Sequence, residues 1–232
     1  MYILTLVVML LIYGVFIYLM KRFANTKLTN VSFCFIAFIL YLSLVLVVYL
    51  DVGFYDWNFQ NTLPVANVSP FMFFVSPFCL ILPTKARKYF FTLVSLLSIG
   101  MLLSPLIGCI RNQVINYAFH PHFLLDYFAH LSLSLWGIYL YLSNQTLLKV
   151  KDNILGGSII VIVALIMLIL NVIFDTAFFG LSLNGKHNIY NVVLVDSSYL
   201  SVLIYFICLI IVLIIGYFYL KLIKRITKNA KC

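Results

Sequence analysis

The sequence predicts an all-α membrane protein: a bundle of seven transmembrane helices forming one domain over residues 1–232, with the N-terminus outside and the C-terminus in the cytoplasm. Three observations predict it: an apolar composition, apolar runs of membrane-spanning length, and basic residues that gather in alternate connections. At 65% hydrophobic and 9% charged, with a mean hydropathy of +1.14, the chain lacks the polar surface that a water-soluble domain of this size needs, where about a quarter of residues are charged.

Thirteen of the fifteen Lys and Arg residues fall into four clusters: Lys21, Arg22 and Lys27; Lys85, Arg87 and Lys88; Lys149 and Lys151; and Lys221, Lys224, Arg225, Lys228 and Lys231. Only Arg111 and Lys186 lie in the intervening loops. Short cytoplasmic loops retain Lys and Arg, so the clustered side is assigned to the inside. The net charge of +9 therefore points to the anionic inner leaflet, where each basic residue gains about 1 kcal/mol. Nucleic acid is not an expected partner.

Apolar runs of about 18–22 residues, each able to cross roughly 30 Å of hydrocarbon, lie near 3–20, 31–50, 63–83, 90–110, 122–143, 154–174 and 199–220. The first has no basic residue before it and no small-residue cleavage pattern after it. It is expected to be retained as a span and not removed as a signal peptide. The third holds Pro70 and Pro77 between Pro64 and Pro83; internal prolines remove helical hydrogen bonds and predict a kink. Gly100 and Gly108 in the fourth run, and Gly156 and Gly157 at the start of the sixth, read as close helix packing or a loop exit. Asp196, Ser197 and Ser198 read as the N-terminal cap of the seventh. The longest connection is about 175–198, and no internal repeat is evident.

Chemistry is expected in the fifth run. His122, Asp126 and His130 are spaced i, i+4, i+8 on one helical face, and Ser134 continues the stripe. At about 1.5 Å per residue, His130 lies about 12 Å beyond His122, well inside the outer leaflet. An ionisable group at that depth is costly unless it faces the bundle interior or a wet cavity. Two readings fit: the residues bond one another and a neighbouring helix, or they floor a polar pocket that opens outward. Asn67 and Ser69 in the third run, Arg111, Asn112, Asn116 and His120 before the fifth, Asn171 and Asp175 at the end of the sixth, and Asp196 gather toward the same end. Asn67, His122, Ser134, Asn171 and Asp175 are accordingly the expected ligand-binding residues, with His130 and Asp126 as the chemically active pair.

The five cysteines, Cys34, Cys79, Cys109, Cys208 and Cys232, include no C-x-x-C pair and support no disulfide framework. Cys109 is the one expected near the outer face, and so the only cysteine that could serve His130 as a nucleophile. A retinal site would need a mid-span lysine in the last helix, whereas Lys221 lies at the inner boundary. The chain has no H-E-x-x-H, G-x-S-x-G or phosphate loop, and no glutamate at all. No cofactor is implied. The histidines spread over more than two helical turns, so no metal site is expected either.

Leu63-Pro64 leading into the third run with its later Pro77, the stretch Phe119 to His130, and Asn188-Ile189-Tyr190 together resemble the YwaF-like integral membrane family of bacteria. The resemblance spans roughly residues 60–205 and rests on short motifs. It implies a bacterial plasma membrane location. That family is itself similar to eukaryotic transmembrane proteins associated with phospholipid acyl transfer through a Cys and a His. His130 matches the family's fifth-span histidine. The family pattern L-P-L-H-L-C, however, is replaced here by Leu63-Pro64-Val65-Ala66-Asn67-Val68, so its His and Cys positions hold Ala66 and Val68.

Two function classes follow. In one, the stripe binds or transports a small solute or lipid, or the bundle is an accessory subunit; its partners are then membrane lipids together with a second protein or further copies of the chain. In the other, Asp126 orients His130 as a general base on a lipid ester or acyl group, with Cys109 or water as nucleophile. The missing family cysteine favours the first.

Overall fold

The computed structural model describes residues 11, 14–15, 26–50, 63–111, 121–147, 149–181, 183 and 198–229, and these are helical with short connections and no strand among them. Helix is the form in which a single apolar segment satisfies all its backbone groups without water. The helices are α1 (Thr26–Leu50), α2 (Val68–Val75), α3 (Thr84–Arg111), α4 (Pro121–Leu142), α5 (Val150–Phe174) and α6 (Ser198–Asn229), with short 3-10 turns at Phe78–Ile81 and Phe178–Gly180. The first expected span, 3–20, falls outside the described residues apart from Leu11, Gly14 and Val15.

Among the described residues four helices are long and apolar enough to cross a membrane: Lys27–Leu50 of α1, Thr84–Ser104 of α3, Val150–Phe174 of α5 and Tyr199–Thr227 of α6. Their surfaces are apolar on the outside. Ile39, Leu46, Ile162, Ile169, Val172, Leu203, Ile214 and Phe218 are all more than half exposed, as lipid contact requires and water does not permit over so large an area. The chain is an all-helical membrane protein.

α3 and α4 occupy the centre. α4 packs against α1 and α3, α3 packs also against α5 and α6, and α2 lies on α1. From Leu133 to Tyr141 α4 is buried on every side. This position explains how α4 can carry Asp126, His130 and three tyrosines, shielded from lipid by their neighbours, and stand outside the four span candidates.

Small residues bring the central pair together. Ser95 Oγ donates to the Gly137 carbonyl at 2.6 Å, and Ser134 Oγ donates to the Ser98 carbonyl at 2.7 Å, so each helix gives one hydroxyl to the other's backbone. A Cβ on Gly137 would sit 2.7 Å from the Val94 carbonyl oxygen. On the other side of α3 a Cβ on Gly216 of α6 would overlap the Leu96 carbonyl oxygen.

The third expected span is not one helix. α2 has eight residues, Ser76 and Pro77 turn the chain, and a four-residue 3-10 turn follows. Pro70 sits in the first turn of α2, where its missing N–H costs nothing, whereas Pro77 lies where the helix stops. At about 1.5 Å per residue the eight residues of α2 cover about 12 Å, so 63–83 crosses no bilayer as a single helix.

The ends of α1, α3, α5 and α6 that carry Lys27, Lys85, Arg87, Lys88, Lys149, Lys151, Lys221, Lys224 and Arg225 converge. Asn30 Nδ2 donates to Gln145 Oε1 at 2.6 Å, Trp136 Nε1 donates to Asn30 Oδ1 at 3.0 Å, the Leu147 amide donates to Thr92 Oγ1 at 3.0 Å, and Lys224 Nζ donates to Asn144 Oδ1 at 3.1 Å. These bonds tie the loop after α4 to α1, α3 and α6, and the basic residues share one end of the bundle. If that end is cytoplasmic, single cysteines at Lys85 and Lys151, both exposed, in a cysteine-free background should escape an impermeant thiol reagent in intact cells. Cysteines at Asn58 and Asn184 should react, and the opposite pattern would reverse the orientation. Asn153 is a poor reporter: it is buried, and its amide donates to the Leu147 and Lys149 carbonyls.

Candidate functional site

His130 lies at the centre of the bundle, 4% exposed. Its Nδ1 is 2.8 Å from the backbone oxygen of Asp126 and 3.2 Å from Asp126 Oδ1, the contact that i, i+4 spacing on a helix permits. Both neighbours are acceptors, so Nδ1 is assigned the proton, and in the neutral imidazole Nε2 is then the acceptor. The Phe73 ring of α2 meets the imidazole edge-on, with centroids 4.9 Å apart and planes at 88°. Nε2 is buried and finds no hydrogen-bond partner among the described residues. A buried polar atom left this way costs about 1–3 kcal/mol; Ser98 Oγ, Tyr139 Oη and Thr146 Oγ1 are buried without a partner among the described residues too. The Asp126 side chain is 18% exposed, so the pair reaches from the protein interior toward accessible space.

The other expected site residues separate. Ser134, one turn along α4, is fully buried, and its hydroxyl belongs to the α3–α4 seam. Asn67 caps α2 by accepting from the Val68 amide at 3.1 Å, and it lines a cavity of about 160 Å³ with Ser69, Gly100, Ser104 and Tyr205. Asn171 is buried at the end of α5. Its Nδ2 donates to the Phe178 carbonyl at 2.9 Å and to that of Leu181, while Oδ1 accepts from Thr176 Oγ1 at 2.8 Å and the Phe178 amide at 2.7 Å. Both donors and both lone pairs are in use, so this amide holds the following loop in shape and has nothing left for a ligand. Asp175 ends α5 in the left-handed conformation, φ 52°, with its amide bonded to the Asn171 carbonyl; it is exposed.

His122 and Cys109 belong to the first turn of α4 and the last turns of α3, and their side chains lie outside the described residues. So do Asn112, Asn116, His120 and Asp196. Among the described residues no group of three His, Cys, Asp or Glu side chains could hold a metal.

The site as described is therefore a histidine with one nitrogen fixed by a carboxylate and the other presented bare. Phe73 is the residue that sequence reasoning misses. Nothing in an apolar run marks which of its aromatic rings will lie against a histidine some 57 positions away. The geometry suits accepting a hydrogen bond or a proton from a ligand, or general-base chemistry if a nucleophile is brought to Nε2. No family model, curated protein or solved structure matches the chain.

Proposed function

We propose that this chain is a multi-pass protein of the bacterial plasma membrane, with seven spans, the third broken at Ser76–Pro77, and its basic end in the cytoplasm, that binds or transports a small hydrogen-bond donor, either a solute or a lipid headgroup, at the His130–Asp126 pair. The observation that carries this reading is the buried, unpartnered Nε2 of His130, fixed in orientation by Asp126. The reading requires a path for the ligand from the end away from the basic residues, the side on which the Asp126 side chain is partly exposed. The resemblance to the YwaF-like family is part of the same proposal, and so is an accessory role in which a partner protein or further copies of the chain use the site.

An acyl-transfer or ester-hydrolysis enzyme is the alternative. It requires a hydroxyl or thiol bonded to the base, and no described residue occupies that position; Cys109 is the remaining candidate. Native mass spectrometry of protein released from its own membranes separates the two. The binding reading expects a retained small-molecule or lipid mass in the parent and in Cys109→Ser, lost in His130→Gln. A covalent acyl mass on the parent that disappears in Cys109→Ser would establish the enzyme instead.

A further inference from the structure

A second cavity, at the basic end, has the chemistry of an anion site. It encloses about 600 Å³ between the start of α1, the start of α3 and the loop after α4. Three cations line it, Lys27, Arg87 and Lys88, together with the uncharged donors Thr84, Asn144 and Gln145. No acid lines it. Of the described acids, Asp126 and Asp175 lie toward the opposite end of their helices, and Asp152 is absent from the lining. Lys27 and Lys88 are exposed and Arg87 is half-buried, so an anion entering the cavity meets three cations and no described acid.

The walls are preorganised. Gln145 Oε1 is held by Asn30, whose own Oδ1 is held by the Trp136 indole, and Gln145 Nε2 donates to Ser143 Oγ at 2.7 Å. Arg87 is half-buried and donates from Nη1 to the Leu80 carbonyl at 3.2 Å, which fixes its guanidinium while leaving donors over. Val31, Leu80 and Phe91 complete the lining with apolar surface. A cationic mouth beside an apolar wall at a membrane interface matches a phosphate group carrying an acyl chain.

We infer that the cavity between Lys27, Arg87 and Lys88 is a binding site for a phosphate-bearing anion, separate from the His130 pair and independent of the function proposed for it. The phosphate belongs either to an anionic lipid or to a free phosphate.

The test uses the full chain in detergent micelles, titrated with phosphatidylglycerol, with phosphatidylcholine and with inorganic phosphate, binding being read by native mass spectrometry and by ligand-induced rise in melting temperature. Phosphatidylglycerol should bind in preference to phosphatidylcholine, and Arg87→Gln or Lys88→Gln should weaken it about tenfold. Lys151→Gln, an exposed cation at the same end but outside the cavity, should leave it unchanged. Lys88→Gln spares the Leu80 carbonyl bond and so serves even if Arg87→Gln fails to fold. Binding of inorganic phosphate with the same dependence on Lys88, without a preference for phosphatidylglycerol, supports the site and makes free phosphate its ligand. Equal weakening by Lys88→Gln and Lys151→Gln, or no binding of either phosphate probe, overturns the inference.

Discussion

Replacing Gly216 by alanine should destabilise the bundle more than any other single methyl addition among the described glycines. The added Cβ would overlap the Leu96 carbonyl oxygen and lie 2.8 Å from its carbon. These are backbone atoms of the central helix and cannot turn aside as a side chain tip would. α6 must therefore move off α3, opening the packing of Leu209 and Leu220. Overpacking a core costs about 1–3 kcal/mol when side chains can adjust; here the obstacle is backbone, and a loss of about 3 kcal/mol or more is expected. Gly157→Ala is the matched control, because its nearest neighbours are Leu213 and Leu96 methyl groups at 3.3 Å and beyond, and it should stay within about 1 kcal/mol of the parent. Denaturant unfolding of both variants in micelles reads the difference. Equal stability would mean that α3 and α6 do not approach as described.

His130→Leu should abolish ligand retention while leaving the protein at least as stable as the parent. Leucine removes the buried Nε2 that finds no partner among the described residues, and it keeps apolar contact with Phe73. It also gives up the bonds from Nδ1 to Asp126, whose carboxylate is partly exposed and can turn to water. The relief of about 1–3 kcal/mol for the orphaned acceptor exceeds the roughly 0.6 kcal/mol that a polar contact inside a membrane bundle contributes on average. Greater stability with lost binding is the mark of a residue kept for function at a cost to the fold. A structural His130 behaves oppositely: the leucine variant would unfold more easily and retain whatever the parent binds. Asp126→Asn should give a smaller loss of binding, since the Asp126 carbonyl still holds Nδ1.

Some of this was legible in the sequence because it follows from local chemistry. Apolar runs gave the positions of α1, α3, α4, α5 and α6, and i, i+4 spacing gave the Asp126–His130 pair. The helix ends were less legible: α3 begins at Thr84, well before the apolar run near 90, and α6 continues to Asn229. Hydropathy reports where the lipid ends, and a helix with Lys85, Arg87 or Lys224 can continue past it into the headgroup region. The break at Ser76–Pro77 went further than the kink that the prolines predict.

What sequence could not reveal depends on distant partners. Ser134 reads as part of a polar stripe, yet its hydroxyl is spent on Ser98 across a helix interface. Asn171 reads as a pocket residue, yet its whole amide is consumed by a loop up to ten residues onward. Gly137 and Gly216 give no local sign of the carbonyls that face them. In the sequence the basic residues point to a leaflet, whereas Lys27, Arg87 and Lys88 also line a cavity.

The most direct measurement is solid-state ¹⁵N NMR of histidine-labelled protein in bilayers, with the His130 signals assigned from the four histidines by their loss in His130→Gln. Spectra would be recorded in pure synthetic lipid and again after addition of an extract of the native membrane. The account predicts a proton on Nδ1, a bare Nε2, and an Nε2 resonance that shifts when the extract supplies a hydrogen-bond donor. A proton found on Nε2, or an Nε2 resonance identical in the two membranes, would contradict it.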